Sequence, residues 1–514
     1  MSEQTNNKTI AKNTIFLYFR MMFTMLVSLY TSRVILDVLG VNDYGIYQAV
    51  GGVVSMLSFV NAALANGTSR FITFELGTGN VGKLKKTFST LLWANIGLAV
   101  IVVLFAETIG LWFVSNKMVI PVERMDAAMI VYHLSIVTCF FQLVLVPYNA
   151  SIIAHERMNI YAYISIVDVV MRLVICYMLN IEGFDRLVIY ASLLCLIQIL
   201  LVLFYIFYCL KRFSETRFSK TVDKSILKDV VSYSSWSLIA ASSTALKNQG
   251  ATILVNIFFS PAVVSARAIA NQVNMAANQF IQNFRTAANP QIVKKYAMGD
   301  TEGSKRLLLS STVFSFYLML ALALPICLVA DDLLGIWLKE VPEYTTVFLQ
   351  LAIVTSLFQV FDTSFYTALY AKGRIKENAL TAPTLGMLMF PIVYVLFKIG
   401  CSPVVLAWAL LCLYAVLGCI QKPILMIKIA NYQWSEIIRV FIKCLKVVLI
   451  SCPIPIALYC FRDILFSNVL IRFFGLSLIS LLFVLVTVWA VGIDKAMRKQ
   501  LISFVMKKVK NVSK

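Results

Sequence analysis

Seven basic side chains fall inside apolar stretches of this sequence: Arg20, Arg33, Arg70, Arg172, Lys247, Arg267 and Arg285. An ionisable group deep in hydrocarbon costs at least ~2.5–3.5 kcal/mol, so such groups face a partner or a water-filled space. Against them stand Asp168 and Asp362, with Glu75 and Glu107 nearer the ends of their apolar runs. An interior richer in cations than anions suits an anionic ligand. Lys247 is the best single candidate, in the polar run Leu246-Lys-Asn-Gln-Gly250 midway through an apolar stretch, where a helix is expected to unwind. The bland reading of the same residue is a snorkelling or paired lysine. Arg20 lies inside the first apolar run and either snorkels or meets an incoming phosphate.

Arg267 and Arg285 flank a strongly polar stretch in which Asn271, Asn274, Asn278 and Gln282 recur at three- and four-residue spacing. On a helix these form one hydrophilic stripe. Such a stripe suits recognition of sugar hydroxyls; the alternative is polar glue between helices. Asp168 and Arg172 are four apart and share a helix face. They make a self-neutralised structural pair, or Asp168 exchanges a proton or sodium ion. Asp362 lacks an obvious helical partner and is the better lone carboxylate for ion coupling; a hydrogen bond with backbone or a pair across helices is its alternative. No cofactor is expected beyond coupling to a proton or sodium gradient. No CxxC occurs, His133 and His155 are the only histidines, and most of the eleven cysteines sit in apolar runs, so a metal centre is not expected.

The elements that position these residues follow from composition. The 514 residues are 60% hydrophobic and 14% charged, with a mean hydropathy of +0.83. Soluble domains run about 45–50% apolar and about 25% charged, so the surplus needs lipid as solvent. A bilayer core of ~30 Å needs about 20 apolar residues per helix. Fourteen spans are expected near 14–36, 45–69, 88–114, 127–152, 159–179, 187–210, 230–258, 263–289, 307–329, 345–369, 378–397, 403–427, 440–460 and 468–491. The first run is too long for a cleavable signal peptide and lacks a small-residue cleavage site.

Loop charge orients the spans. Loops on the side of the termini carry 31 Lys and Arg, and the opposite loops seven: Lys117, Arg124, Arg186, Lys339, Lys398, Arg462 and Arg472. That asymmetry predicts cytoplasmic termini. It also accounts for the formal charge of +20 without nucleic acid. The basic segment Lys211–Lys220, continuing through Lys224 and Lys228, has an anionic lipid surface as its expected partner. The longest opposite-side loop carries only Asp331, Asp332, Glu340 and Glu343, which argues against a membrane glycosyltransferase.

The chain also repeats itself. Glu75-Leu-Gly-Thr-Gly-Asn80 answers Lys295-Tyr-Ala-Met-Gly-Asp300, Ile109-Gly-Leu-Trp112 answers Leu334-Gly-Ile-Trp337, and Ala154-His-Glu-Arg answers Ala371-Lys-Gly-Arg. The offsets are 220, 225 and 217 residues. Six helices separate the copies, which predicts parallel repeats with a cavity between two bundles. The expected organisation is a six-helix bundle over 1–210, a basic linker over 211–229, a second six-helix bundle over 230–430, and two further helices with a basic tail over 431–514.

The segment Ser32-Arg-Val-Ile-Leu-Asp-Val-Leu-Gly-Val-Asn-Asp-Tyr-Gly-Ile46, with its Arg, Leu-Gly and Tyr-Gly, resembles the O-antigen flippase-like polysaccharide transporters of the multidrug/oligosaccharidyl-lipid/polysaccharide (MOP) exporter superfamily. The resemblance covers nearly the whole chain. It implies a MATE-like fold, a bacterial inner-membrane location, and alternating access carrying an undecaprenyl-diphosphate-linked oligosaccharide for surface polysaccharide or O-antigen synthesis. Polysaccharide polymerase and glycosyltransferases would be neighbouring partners. A multidrug or cation antiporter, or a peptidoglycan-precursor flippase, would share the fold. An enzyme is not expected.

Overall fold

A computed structural model describes residues 3–57, 59–155, 157–179, 185–217, 222–228, 230, 249–374, 376–466, 468–494 and 498, without the side chains of 3–21 and of scattered later positions. Among the described residues every regular element is helical. Helix α1 (Glu3–Leu57) breaks at Gly40, whose φ of 78° and ψ of 168° suit a residue without Cβ. The stretch from Val41 to Leu57 and α2 (Phe59–Thr78) occupy the second expected span. Next come α3 (Val81–Phe105), a π turn (Ala106–Gly110), and α4 (Leu111–Lys117). Helices α5 (Met125–Ala154), α6 (Met158–Met178) and α7 (Arg186–Arg212) follow.

The seventh expected span lies largely outside the described residues; its end is α8 (Ala251–Phe258). Then come α9 (Pro261–Ala297), α10 (Thr301–Leu328), α11 (Ala330–Trp337), α12 (Thr345–Ala371) and α13 (Lys376–Lys398). Helix α14 (Val405–Val416) runs through a π turn (Leu417–Gln421) into α15 (Lys422–Ala430). The chain closes with α16 (Trp434–Ser451), α17 (Pro453–Cys460), α18 (Arg462–Leu465) and α19 (Val469–Thr487).

Ten of the described helical stretches are long and apolar enough to cross a membrane. One of them runs across the break at Gly40. Helices α2, α6 and α9 stand where further spans are expected but are shorter or more polar, so the arrangement is compatible with fourteen. Large apolar side chains such as Leu104, Phe207, Ile392 and Val486 point outward. Exposed apolar surface on this scale belongs against lipid. This is a multi-pass membrane protein.

The described residues form two compact units, Met1–Ile269 with Phe390–Pro403, and Ala270–Met389 with Val404–Lys514. In the first, Ile72, Phe88, Leu91, Tyr148, Ile152 and Tyr205 form a buried core. In the second, Phe361 stacks on Phe316 at 5.2 Å and meets Phe441 edge-on at 4.9 Å.

The repeat recurs as local geometry. Gly79 and Gly299 both take positive φ (72° and 83°) at a helix end, and each donates its N–H to the carbonyl three residues back. The next residue in each copy caps the following helix: Asn80 Oδ1 accepts from the Lys83 N–H, and Asp300 Oδ1 from the Gly303 N–H. After α5 and α12, the Arg157 and Arg374 N–H groups reach carbonyls five residues back, at 3.0 and 3.1 Å. These are the helix-terminating bonds of one loop form used twice.

Candidate functional site

The first unit carries a partly open pocket of about 200 Å³. Tyr47, Gly51 and Ser55 of α1 line one wall, Ser135, Thr138 and Gln142 of α5 another, and Arg172 of α6 and Gln198 of α7 complete it. The α5 residues sit three and four apart, hence on one face. The Ser135 and Thr138 hydroxyls donate to carbonyls within α5, at 2.7 and 2.9 Å. Their oxygens therefore keep acceptor capacity toward the cavity. Arg172 Nε donates to Asp168 Oδ1 at 3.1 Å, so the guanidinium carries its own counter-ion. The polar part of the wall is thus hydroxyl and amide with one compensated cation, set among apolar Val54, Leu134, Cys139, Ala191 and Leu194.

Three groups brace this unit. Arg124 bonds Asp43, through Nε at 2.9 Å, and Asp185, through NH2 at 3.1 Å. Asp185 also caps α7, accepting from the Leu187 N–H at 2.9 Å. The Arg124 guanidinium holds the Asp185 carboxyl below the usual carboxylate range. Arg267 is buried and donates to the Thr252 hydroxyl.

The second unit holds a partly buried polar network between two helices. Asn274 Oδ1 accepts from the Ser356 hydroxyl at 2.8 Å, and Asn278 Nδ2 donates to Ser356 Oγ at 2.8 Å, tying α9 to α12. Arg285 is buried and donates to the Thr363 carbonyl and, at 3.3 Å, to Thr367 Oγ1. Asn271, Asn274 and Asn278 are all half-buried, and Gln282 is exposed. The amides at 274 and 278 therefore join helices, and Arg267 and Arg285 are interior to their units, where open cavity walls were expected.

Of the readings open for Asp362, the structure shows the pair across helices. The Lys422 ammonium lies 2.6 Å from Asp362 Oδ1, with the lysine side chain 3% exposed. Lys422 lies inside the twelfth expected span, 403–427, but is not among the seven basic residues counted as interior. The π turn at Leu417–Gln421 and α15 carry it into the interior. A lone lysine late in an apolar run was the available signal, and only the neighbouring helix shows its partner. Asp332 is likewise spoken for: Arg472 Nε donates to its Oδ2 at 2.8 Å. Among the described residues no His, Cys, Asp and Glu group could hold a metal ion. Lys247 lies outside the described residues, as does the side chain of Arg20.

Residues 17–178 match the MatE family. A multidrug resistance MATE family transporter of the MOP superfamily, in an inward-facing conformation, superposes with a TM-score of 0.67 at 15% identity, covering 81% of this chain and 98% of that one. The fold is MATE-like. The lipid II flippase MurJ, in its inward closed conformation, has a TM-score of 0.69 at 11% identity, covering 95% of this chain and 100% of its own. A MOP superfamily transporter from Pyrococcus furiosus, for which reverse polarity of the binding pocket suggests a different function, reaches 0.57 at 16% identity, covering 83% of this chain and 97% of that one. At these identities the MATE-like likeness concerns the fold. No curated protein matches the sequence.

Proposed function

We propose that this protein is a flippase that carries an anionic, lipid-linked oligosaccharide across the bacterial inner membrane by alternating access, with both termini cytoplasmic. An undecaprenyl-diphosphate carrier is the cargo class. Glycosyltransferases and a polysaccharide polymerase would make and use that cargo, for surface polysaccharide or O-antigen. The observation that carries this reading is the first unit's cavity, where Arg172 stands among Tyr47, Ser55, Ser135, Thr138, Gln142 and Gln198. Hydroxyls and amides pair with sugar hydroxyls, and a guanidinium pairs with phosphate. A pump for organic cations needs uncompensated carboxylates, and the described acids inside the membrane are paired: Asp168 with Arg172 and Asp362 with Lys422. The exposed Lys211, Arg212, Arg217, Lys224 and Lys228 suit an anionic lipid surface beside the cargo's own headgroup.

The MatE match over 17–178 favours a second reading, a multidrug or cation antiporter. Reconstitution separates the two. Proteoliposomes should move a fluorescent undecaprenyl-diphosphate oligosaccharide between leaflets and leave ethidium gradients unchanged. Ethidium extrusion without lipid movement would establish the antiporter. Movement of lipid II alone would place the cargo among peptidoglycan precursors. Sugar transfer without translocation would reinstate an enzyme.

A further inference from the structure

The Lys422 ammonium sits among oxygens drawn from three separate elements of the second unit. Asp362 Oδ1 on α12 is 2.6 Å away, Asn378 Oδ1 on α13 is 2.6 Å away, and Gln421 Oε1, from the π turn, is 3.3 Å away. The ammonium donates to the Asn378 and Gln421 oxygens, while Asp362 Oδ1 meets it as an ion pair without a well-aligned hydrogen bond. Gln421 is itself fixed, its Nε2 donating to Thr381 Oγ1 at 2.7 Å. Around an alkali cation the same three groups would be ligands, since hard monovalent ions take carboxylate and amide carbonyl oxygens.

The local chain geometry is built to deliver the lysine there. A π turn immediately before Lys422 shifts the helix register, a feature that concentrates at functional sites. Within that turn Gly418 lets the backbone close on α12: a Cβ there would lie 2.6 Å from the Phe358 carbonyl oxygen and 3.2 Å from the Asp362 nitrogen. Arg285 is a second cation nearby, its guanidinium committed to the Thr363 carbonyl and Thr367 hydroxyl on the same helix as Asp362.

We propose that Lys422 is a tethered counter-cation that permanently fills an alkali-cation-type oxygen site formed by Asp362, Asn378 and Gln421. Asp362 is therefore balanced by Lys422 without sodium or potassium, and it does not exchange a diffusible ion. A free cation held about 4 Å from the ammonium would bind on the order of a thousandfold more weakly, by their repulsion in a protein interior. Removing the ammonium uncovers the site. This inference goes beyond the identity of the cargo and stands whether the chain carries a glycan or a drug.

Thermal unfolding of the purified full-length protein in detergent tests it, in sodium, potassium or choline chloride at equal ionic strength. Wild type and Lys422→Arg should unfold at the same temperature in all three salts. Lys422→Ala should gain a saturable rise of several degrees in sodium or potassium over choline, and Asp362→Asn in the same background should remove it. A folded Lys422→Ala protein indifferent to cation identity overturns the proposal. So does a saturable sodium or potassium effect in wild type that Asp362→Asn abolishes. If Lys422→Ala does not fold, that wild-type comparison decides alone, with indifference supporting the proposal.

Discussion

Removing one half of the Asp362–Lys422 pair leaves an unbalanced charge in the interior, where its partner is 2.6 Å away. Breaking such a pair costs about 3–5 kcal/mol, whereas replacing both halves by apolar groups is often neutral. Asp362→Asn should therefore lower the unfolding temperature markedly, and Asp362→Leu with Lys422→Met should restore most of it. A double-mutant cycle on unfolding free energies measures the coupling; additive effects would show the contact to be weak. At the cavity, Arg172→Ala removes a charge-assisted hydrogen bond to phosphate, worth about 1.5–3 kcal/mol. The expected loss in glycolipid flipping is about 10- to 100-fold, with expression unchanged. Lys247→Ala is likewise expected to abolish translocation while leaving membrane insertion intact, as read by flipping in vesicles beside a fractionation control. Of these residues, the Arg172–Asp168 pair was legible from its four-residue spacing, but the place of Arg172 at the pocket was not. The Asp362–Lys422 pair was not, because its members are sixty residues apart in sequence.

At the scale of elements, two features set how helices meet. Gly418 allows the π turn to approach α12, and a methyl group there would meet the Phe358 carbonyl at 2.6 Å. Gly418→Ala should cost about 1–3 kcal/mol as the helices separate. Gly335→Ala in α11, where an added Cβ meets nothing within 4 Å, is the control and should be neutral or mildly stabilising. The Asp43–Arg124–Asp185 cluster joins α1, the chain before α5, and the cap of α7. Since the folded state holds Asp185 below its ordinary pKa, its contribution is present above the unfolded value of about 3.9 and fades as pH falls below it. The unfolding temperature of wild type should exceed that of Asp185→Asn at pH 6, with the gap closing below pH 4. A gap that widens on acidification would contradict this assignment. Spacing left two readings of the polar stripe on α9 open, and Ser356 on α12 ties Asn274 and Asn278 between helices, as the alternative reading has it.

For the molecule as a whole, the decisive measurement is what crosses the bilayer. Flipping of an undecaprenyl-diphosphate oligosaccharide without ethidium extrusion is the expected result, and it should persist when sodium is replaced by choline. Loss of flipping in choline would require a sodium site in a chain whose described membrane carboxylates are already paired.

Hydrophobicity and spacing alone determined that the chain is helical, crosses the membrane many times and repeats its loops at an offset near 220 residues. These are properties of local runs: an apolar stretch of sufficient length must satisfy its backbone internally, and a helix end needs its glycine and its cap wherever it occurs. Tertiary structure decided which polar groups are committed to one another. Lys422 reaches Asp362 across helices, Arg285 spends its donors on α12, and side chains from four helices gather around one cavity beside Arg172. A charge shows its partner only when distant segments are packed within a few ångströms, because the desolvation that makes pairing obligatory arises from that packing.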